Sequence, residues 1–178
     1  MHPLHGASFY GCVDTARLLI EHGANVLAAD ETGSIPFAHA CRHSHYNILE
    51  MFFTHFEQHP NINDIITAVD VEHNTLLHLA VASANLQIVE LLLSKKADPS
   101  ARREDKQTPI HLCAKNDSVE ILERLVNDGS DISDIDDGNE TILHKAAAHN
   151  KEHVLRYALS KRVKSYFQFY SFKIFLIF

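Results

Sequence analysis

The chain has 178 residues with a formal charge of −7, 46% hydrophobic and 22% charged residues, and only 5 Pro and 6 Gly. That balance is globular and tolerant of helix, outside the disordered and collagen-like classes. Its 16 Lys and Arg are scattered, whereas phosphate recognition needs a clustered basic surface, so no nucleic-acid partner is expected.

Read in chain order, the first element opens on HPLH at 2–5 and is followed by an apolar segment over Val13–Ile20. Gly23 then stands where a second helix must stop, and Asp30-Glu31-Thr32-Gly33 reads as a polar turn. The tetrapeptide returns as IPFA at 35–38, TLLH at 75–78, TPIH at 108–111 and TILH at 141–144. Each copy has its own second apolar segment: Tyr46–Phe53, Leu86–Leu93, Val119–Val126 and His153–Leu159. Ile88, Leu91 and Leu92, and likewise Ile121 and Leu125, recur at helical spacing, with Glu90, Glu120, Glu123 and Arg124 on the wet side. Lys96 and Gly129 occupy the helix-stop position of their copies. Glu104-Asp105-Lys106-Gln107 and Asp136-Asp137-Gly138-Asn139 repeat the polar turn.

The positions His5, Ala38, His78, His111 and His144 are separated by 33, 40, 33 and 33 residues. This motif and period resemble the T-P-L-H-x-A signature of the ankyrin-repeat family. The resemblance implies an all-α ankyrin-repeat solenoid of about five helix-turn-helix units joined by short β-hairpin fingers. Repeats are expected over 1–161, with units around 1–33, 34–73, 74–106, 107–139 and 140–161, and a non-repeat aromatic tail over 162–178. Thr75, Thr108 and Thr141 are placed to cap inner helices, and Pro109 suits the first helical position. Small residues at Ala7, Ala40, Ala80, Cys113 and Ala146 let helices approach closely. In the family the motif histidine, here His5, His78, His111 and His144, ties the motif Thr to neighbouring backbone, a structural role. The second copy carries seven extra residues within Thr54–Asp70, which are expected to lengthen a connection without disturbing the stack and to offer a contact of its own.

Residues that invite chemistry carry little. His39, His43 and His45, with His55 and His59 nearby, lack the convergent Cys or carboxylate help usual at zinc, so a His-rich exposed helix and loop is expected in place of a metal site. The acidic run Asp131, Asp134, Asp136, Asp137 and Glu140 fails calcium-loop spacing, because from Asp134 the Gly falls fifth and Lys145 twelfth. His111 and Cys113 are two apart and diverge on a helix. Cys12, Cys41 and Cys113 show neither CxxC spacing nor an even count, which suits a reducing cytosol. No phosphate loop, GxSxG or HExxH occurs, so no enzyme activity and no cofactor are expected. The most apolar stretch, Tyr166–Phe178, is 13 residues and holds Lys173, too short for a span.

Partners are expected to be other proteins or other domains of the same protein, held through fingers and inner helices. The residues singled out are Arg102, Arg103, Glu104 and Lys106 on a finger and Arg42, His43, Lys115 and His149 on inner helices. The lengthened second copy, followed by NTLLHLAV at 74–81, QTPIHLCA at 107–114 and Glu-Thr-Ile-Leu-His-Lys-Ala at 140–146, resembles the cytosolic ankyrin stack of ankyrin-type transient receptor potential cation channels. That resemblance implies a fragment at the cytoplasmic face of a membrane, meeting the membrane only through a missing channel region, with a homotetrameric full-length form. No pore or reactive-cysteine linker of that subfamily maps onto this chain. The alternative is a freestanding, soluble cytosolic adaptor.

Overall fold

The computed structural model describes residues 1–56 and 62–161. The tail over 162–178, His59 and part of the lengthened connection lie outside the described residues. Two compact units divide the chain, Met1–Asp98 and Pro99–Phe178.

The N-terminal unit holds α1 (Pro3–Tyr10), α2 (Val13–Glu21), α3 (Pro36–Arg42), α4 (Tyr46–His55), α5 (Ile62–Thr67), α6 (Leu76–Ala82) and α7 (Leu86–Ser94). The C-terminal unit holds α8 (Pro109–Asn116), α9 (Val119–Asn127), α10 (Ile142–Ala148) and α11 (Glu152–Ser160). Among the described residues five inner–outer pairs result, and the fold is all-α. Within the first unit α1 packs on α3 and α3 on α6, while the outer helices α2, α4 and α7 follow the same succession. In the second unit α8 packs on α10 and α9 on α11.

The pairs form because each helix buries one stripe. On the outer helices Ile48, Leu49 and Phe52, then Ile88, Val89 and Leu92, then Ile121, Leu122 and Leu125 are buried, while Glu50, Glu90 and Glu120 are exposed. Removing a Leu or Ile side chain of this kind from water contributes roughly 2 kcal/mol. In the N-terminal unit the Phe37 ring lies 4.4 Å from that of Phe52 and 5.5 Å from that of Phe53, an aromatic cluster joining α3 to α4. Ala16, Ala40, Ala80, Ala146 and Cys113 are fully buried at points of close helix approach.

Up to three reversals per copy use left-handed backbone, and they recur at fixed offsets from the motif positions. Gly11, Ser44, Ala84, Asp117 and Asn150 turn the chain between inner and outer helix with φ of 75°, 60°, 56°, 55° and 53°. Gly23, Lys96 and Gly129 end outer helices with φ of 81°, 68° and 104°. Phe56, at the matching place in the second copy, keeps a φ of −103°, so the chain leaves α4 differently there and runs toward the lengthened connection. The sequence reads that connection as loop, yet six of its residues form α5, because Ile65 and Ile66 both find burial.

The joining hairpins are reduced to one backbone pair each. Asp30, Asp70, Arg103 and Asp136 donate N–H to the carbonyls of Ser34, Asn74, Gln107 and Glu140 at 3.0, 3.2, 3.0 and 3.1 Å. Gly33, His73, Lys106 and Asn139 supply the left-handed turn. Val69 and Thr75 add one antiparallel bridge, and among the described residues no strand develops. Successive fingers join within each unit, Val71 N–H to the Thr32 carbonyl and Asp137 N–H to the Asp105 carbonyl, both at 3.0 Å.

Candidate functional site

The motif residues build a repeated clasp. Thr75, Thr108 and Thr141 are the N-caps of α6, α8 and α10, in extended backbone, each closing a capping box with the histidine three residues on. The backbone N–H of Thr108 donates to Nδ1 of His111 at 3.1 Å, and Thr75 and Thr141 repeat the bond to His78 and His144 at 3.3 and 3.2 Å. With Nδ1 accepting, the ring proton sits on Nε2. From there His111 donates to the carbonyls of Asp134 and Glu140 at 3.1 and 3.2 Å, so one ring fastens its own cap and the next finger. His5 does the same, its Nδ1 accepting from His2 N–H at 3.2 Å and its Nε2 donating to the Ser34 carbonyl at 3.1 Å. Burial holds both rings below the ordinary histidine value. Pro109 occupies the first helical position of α8.

The charged residues singled out from sequence divide by what they touch. Arg42, at the end of α3, bonds the Asp70 carboxylate and reaches Ser34 Oγ at 3.1 Å. Arg102 bonds Asp134 at 2.6 Å and the carbonyls of Ile135 and Lys106 at 2.9 and 3.1 Å. Arg103 pairs with Asp105 at 3.1 Å and Lys106 with Asp137 at 2.5 Å. His43 is exposed and lies tilted against Phe9 with ring centroids 4.1 Å apart. Glu104, Lys115 and His149 are exposed.

The finger carboxylates are structural centres that sequence reasoning passed over. Asp30, Asp70 and Asp136 stand at the same offset from their motif histidine positions, and each accepts the N–H groups of the residues two and four ahead, at 2.9 to 3.1 Å. Each also meets one cationic or imidazole side chain: His39 at 2.7 Å for Asp30, Arg42 for Asp70, and Lys145 at 2.7 Å for Asp136. Hydrogen bonds from Thr32, His39 and Ser34 outweigh burial and draw the Asp30 carboxyl well below the usual carboxylate range. The signal was present as Asp eight residues before three motif positions, inside stretches read only as polar turn.

Asp117 makes a second long tie, accepting from Val154 N–H at 3.0 Å and meeting His153 Nδ1 at 2.7 Å, so it caps α11 from the turn after α8. None of these contacts aligns a nucleophile with a base. Cys113 and Cys41 are buried, and burial pushes both thiols far above the ordinary value, away from reactivity. Among the described residues no three His, Cys, Asp or Glu side chains converge as metal ligands, and no helix is long and apolar enough to cross a membrane. An open groove of about 750 Å³ runs between α2 and α4, with Val13 and Met51 among its walls and Arg17 and Glu50 beside them. The arrangement can present surface on a braced frame, which is what binding requires.

Comparison with known proteins agrees with this geometry. A family model described as ankyrin repeats (3 copies) matches residues 77–167, and one described as ankyrin repeats (many copies) matches residues 4–53. The probable E3 ubiquitin-protein ligase XBOS33 of Oryza sativa subsp. japonica is 34% identical over 103 residues, 58% of this chain and 18% of that protein. Rabankyrin-5 of Homo sapiens is 28% identical over 137 residues, 60% of this chain and 12% of that protein. Transient receptor potential cation channel subfamily A member 1 of Drosophila melanogaster is 32% identical over 108 residues, 60% of this chain and 9% of that protein. The chain thus spans less than a fifth of the length of each of these relatives.

Proposed function

The chain belongs to the ankyrin-repeat family, and on that premise we propose that it is part of the cytosolic ankyrin scaffold of a transient receptor potential channel of the ankyrin subfamily. As an ankyrin protein it is a protein–protein interaction module. In the finer reading it couples a partner or stimulus to a pore that lies outside this chain, at the cytoplasmic face of a membrane, in a homotetrameric assembly. The observation that carries this reading is the second copy, lengthened by seven residues and followed by TLLHLAV at 75–81, together with the likeness to the Drosophila channel over 108 residues.

Partner contact is assigned to the fingers and inner helices. Exposed Glu104, Lys115, His149 and His43 face solvent, and Arg42, Arg102, Arg103 and Lys106 hold the surface that carries them. The repeat assignment is 1–161, in copies around 1–33, 34–73, 74–106, 107–139 and 140–161, with 162–178 as a separate tail. A freestanding cytosolic adaptor is the second reading, favoured by likeness over 137 residues to rabankyrin-5.

Long-read sequencing of the native transcript separates the two. An open reading frame that runs on into further ankyrin units and six hydrophobic spans supports the channel scaffold. A stop directly after Phe178 sinks it in favour of the adaptor.

A further inference from the structure

Where α1 packs on α3, basic groups are gathered against one another. His2 stacks on His5 with centroids 5.5 Å apart, His5 meets His39 edge-on at 5.6 Å, and His43 lies 6.3 Å from His45. Phe9 sits among them, 6.1 Å from His39 and 4.1 Å from His43, and its carbonyl accepts from His45 Nε2 at 2.8 Å. The seam that joins the first helix pair to the second therefore gathers five imidazoles beside its apolar contacts.

Two of those rings, His5 and His43, sit where a proton is disfavoured. A proton added to Nδ1 of fully buried His5 would set a donor against the His2 N–H it now accepts from and break the cap of α1. His39 Nδ1 is buried with no hydrogen-bond partner among the described residues. Its Nε2 faces Asp30 at 2.7 Å. A charge on His43 would arise beside Arg42, His39 and His45.

The carboxylates nearby are already engaged by other donors. Asp30 already accepts from His39, Thr32 and Ser34, and Asp70 is held by Arg42 and Asn74. Helix α2, packed on α1, carries Asp14, Arg17 and Glu21, all exposed. Of the helices packed on α3, α6 brings the buried His78, and α4 brings Glu50 and His55, both exposed.

We propose that this seam is an acid-sensitive latch, and that mild acidification releases the α1–α2 pair from α3 and α4 while α6 and α7 remain folded on them. Release bares Leu4 and Ala7 of α1, now buried, and so converts a pH change into a new apolar surface. Burial holds His5 below its ordinary value, and burial followed by His45, His39 and Arg42 does the same to His43. Detached histidines titrate near ~6.5. Above that pH both forms are neutral and the latch is closed. Below it the open form binds more protons, so each further pH unit favours opening by up to roughly tenfold per histidine.

The test is a series of ¹H–¹⁵N spectra of the intact chain from about pH 7.5 to about pH 5. Signals of α1 and α2 are expected to leave their native positions as the pH drops below the histidine range, ahead of those of α6 and α7. His43→Phe, which keeps a ring against Phe9 and removes a titrating group, should lower that transition by roughly half a pH unit. His5→Gln is the second variant, because a Gln amide can still accept from the N-cap N–H. The latch is overturned if α1 signals stay native to about pH 5, if α1 to α7 melt together, or if neither variant moves the transition.

Discussion

Arg42 and Asp70 stand 28 residues apart and meet side chain to side chain, the guanidinium at the end of α3 closing on a carboxylate that is only 2% exposed in the following finger. The pair ties the inner helix of the second copy to the finger that closes the same copy. Arg42→Ala leaves that carboxylate buried without its countercharge. We expect a loss of about 2 kcal/mol, less than for a fully enclosed pair because water reaches the outer part of Arg42. Urea unfolding measures it, and combining Arg42→Ala with Asp70→Asn should recover part of the loss. Two single-variant losses that simply add would show no coupling between the residues.

Lys96 and Ala84 hold left-handed backbone, with φ of 68° and 56°, where other copies use Gly23, Gly129 and Gly11. A side chain in that region costs about 1–2 kcal/mol, partly offset by the greater freedom glycine has when unfolded. Lys96→Gly and Ala84→Gly should each stabilise by about 1 kcal/mol. The readout is the urea midpoint, and a midpoint that falls would contradict the backbone argument.

The histidines should titrate in opposite directions. His111 is lowered by burial, so the stability it protects is complete above the unfolded value and drains away as pH falls below it. His153 is raised, first by its hydrogen bond to Asp117 and then by that residue's charge, so its contribution is present in acid and is lost as pH rises through the folded value. Asp117 is lowered by its bonds to Val154 and His153 against the opposing effect of burial, and its contribution fades as pH falls through the folded carboxylate range. Ring-proton NMR should place His111 below and His153 above ~6.5. The reverse order would remove the assigned partners.

Thiol chemistry should distinguish one cysteine from two. Cys12 is exposed, whereas Cys41 and Cys113 are buried with thiols pushed upward. An aromatic disulfide reagent at neutral pH should modify one thiol promptly and the other two only after denaturant is added. Three fast equivalents would mean that these helices open readily.

Loss of a cap should be local and measurable. Thr108→Val removes the hydroxyl that meets His111 Nδ1 at 3.1 Å while keeping the shape. A cost of about 1 kcal/mol is expected, read as a lower melting temperature.

Much of this fold was legible in the residues. A motif returning every 33 residues, Thr three places before His, Pro at a helix start and an apolar stripe at helical spacing are all local signals. Helix pairs obey local signals because capping and amphipathicity act within one or two turns. Even the left-handed turns were half legible, through Gly23, Gly129 and the matching place of Lys96, though Ala84 gave no sign of its own. The α5 helix was not legible, since its six residues form a helix only where Ile65 and Ile66 meet a core that other elements supply.

By itself, then, the sequence determined the repeat, its helix pairs and the absence of a recognisable catalytic motif, because these depend on residues within a few turns of each other. Only the tertiary structure decided which charges are spent internally. Arg42 closes on Asp70, Lys145 on Asp136, Arg102 on Asp134 and Asp117 on His153, at separations that no local pattern encodes. It likewise brought His5, His39, His43 and His45 to one seam. The physical reason is that a charge or an imidazole acquires its role from what stands within about 4 Å, and that neighbour is chosen by how the helices stack.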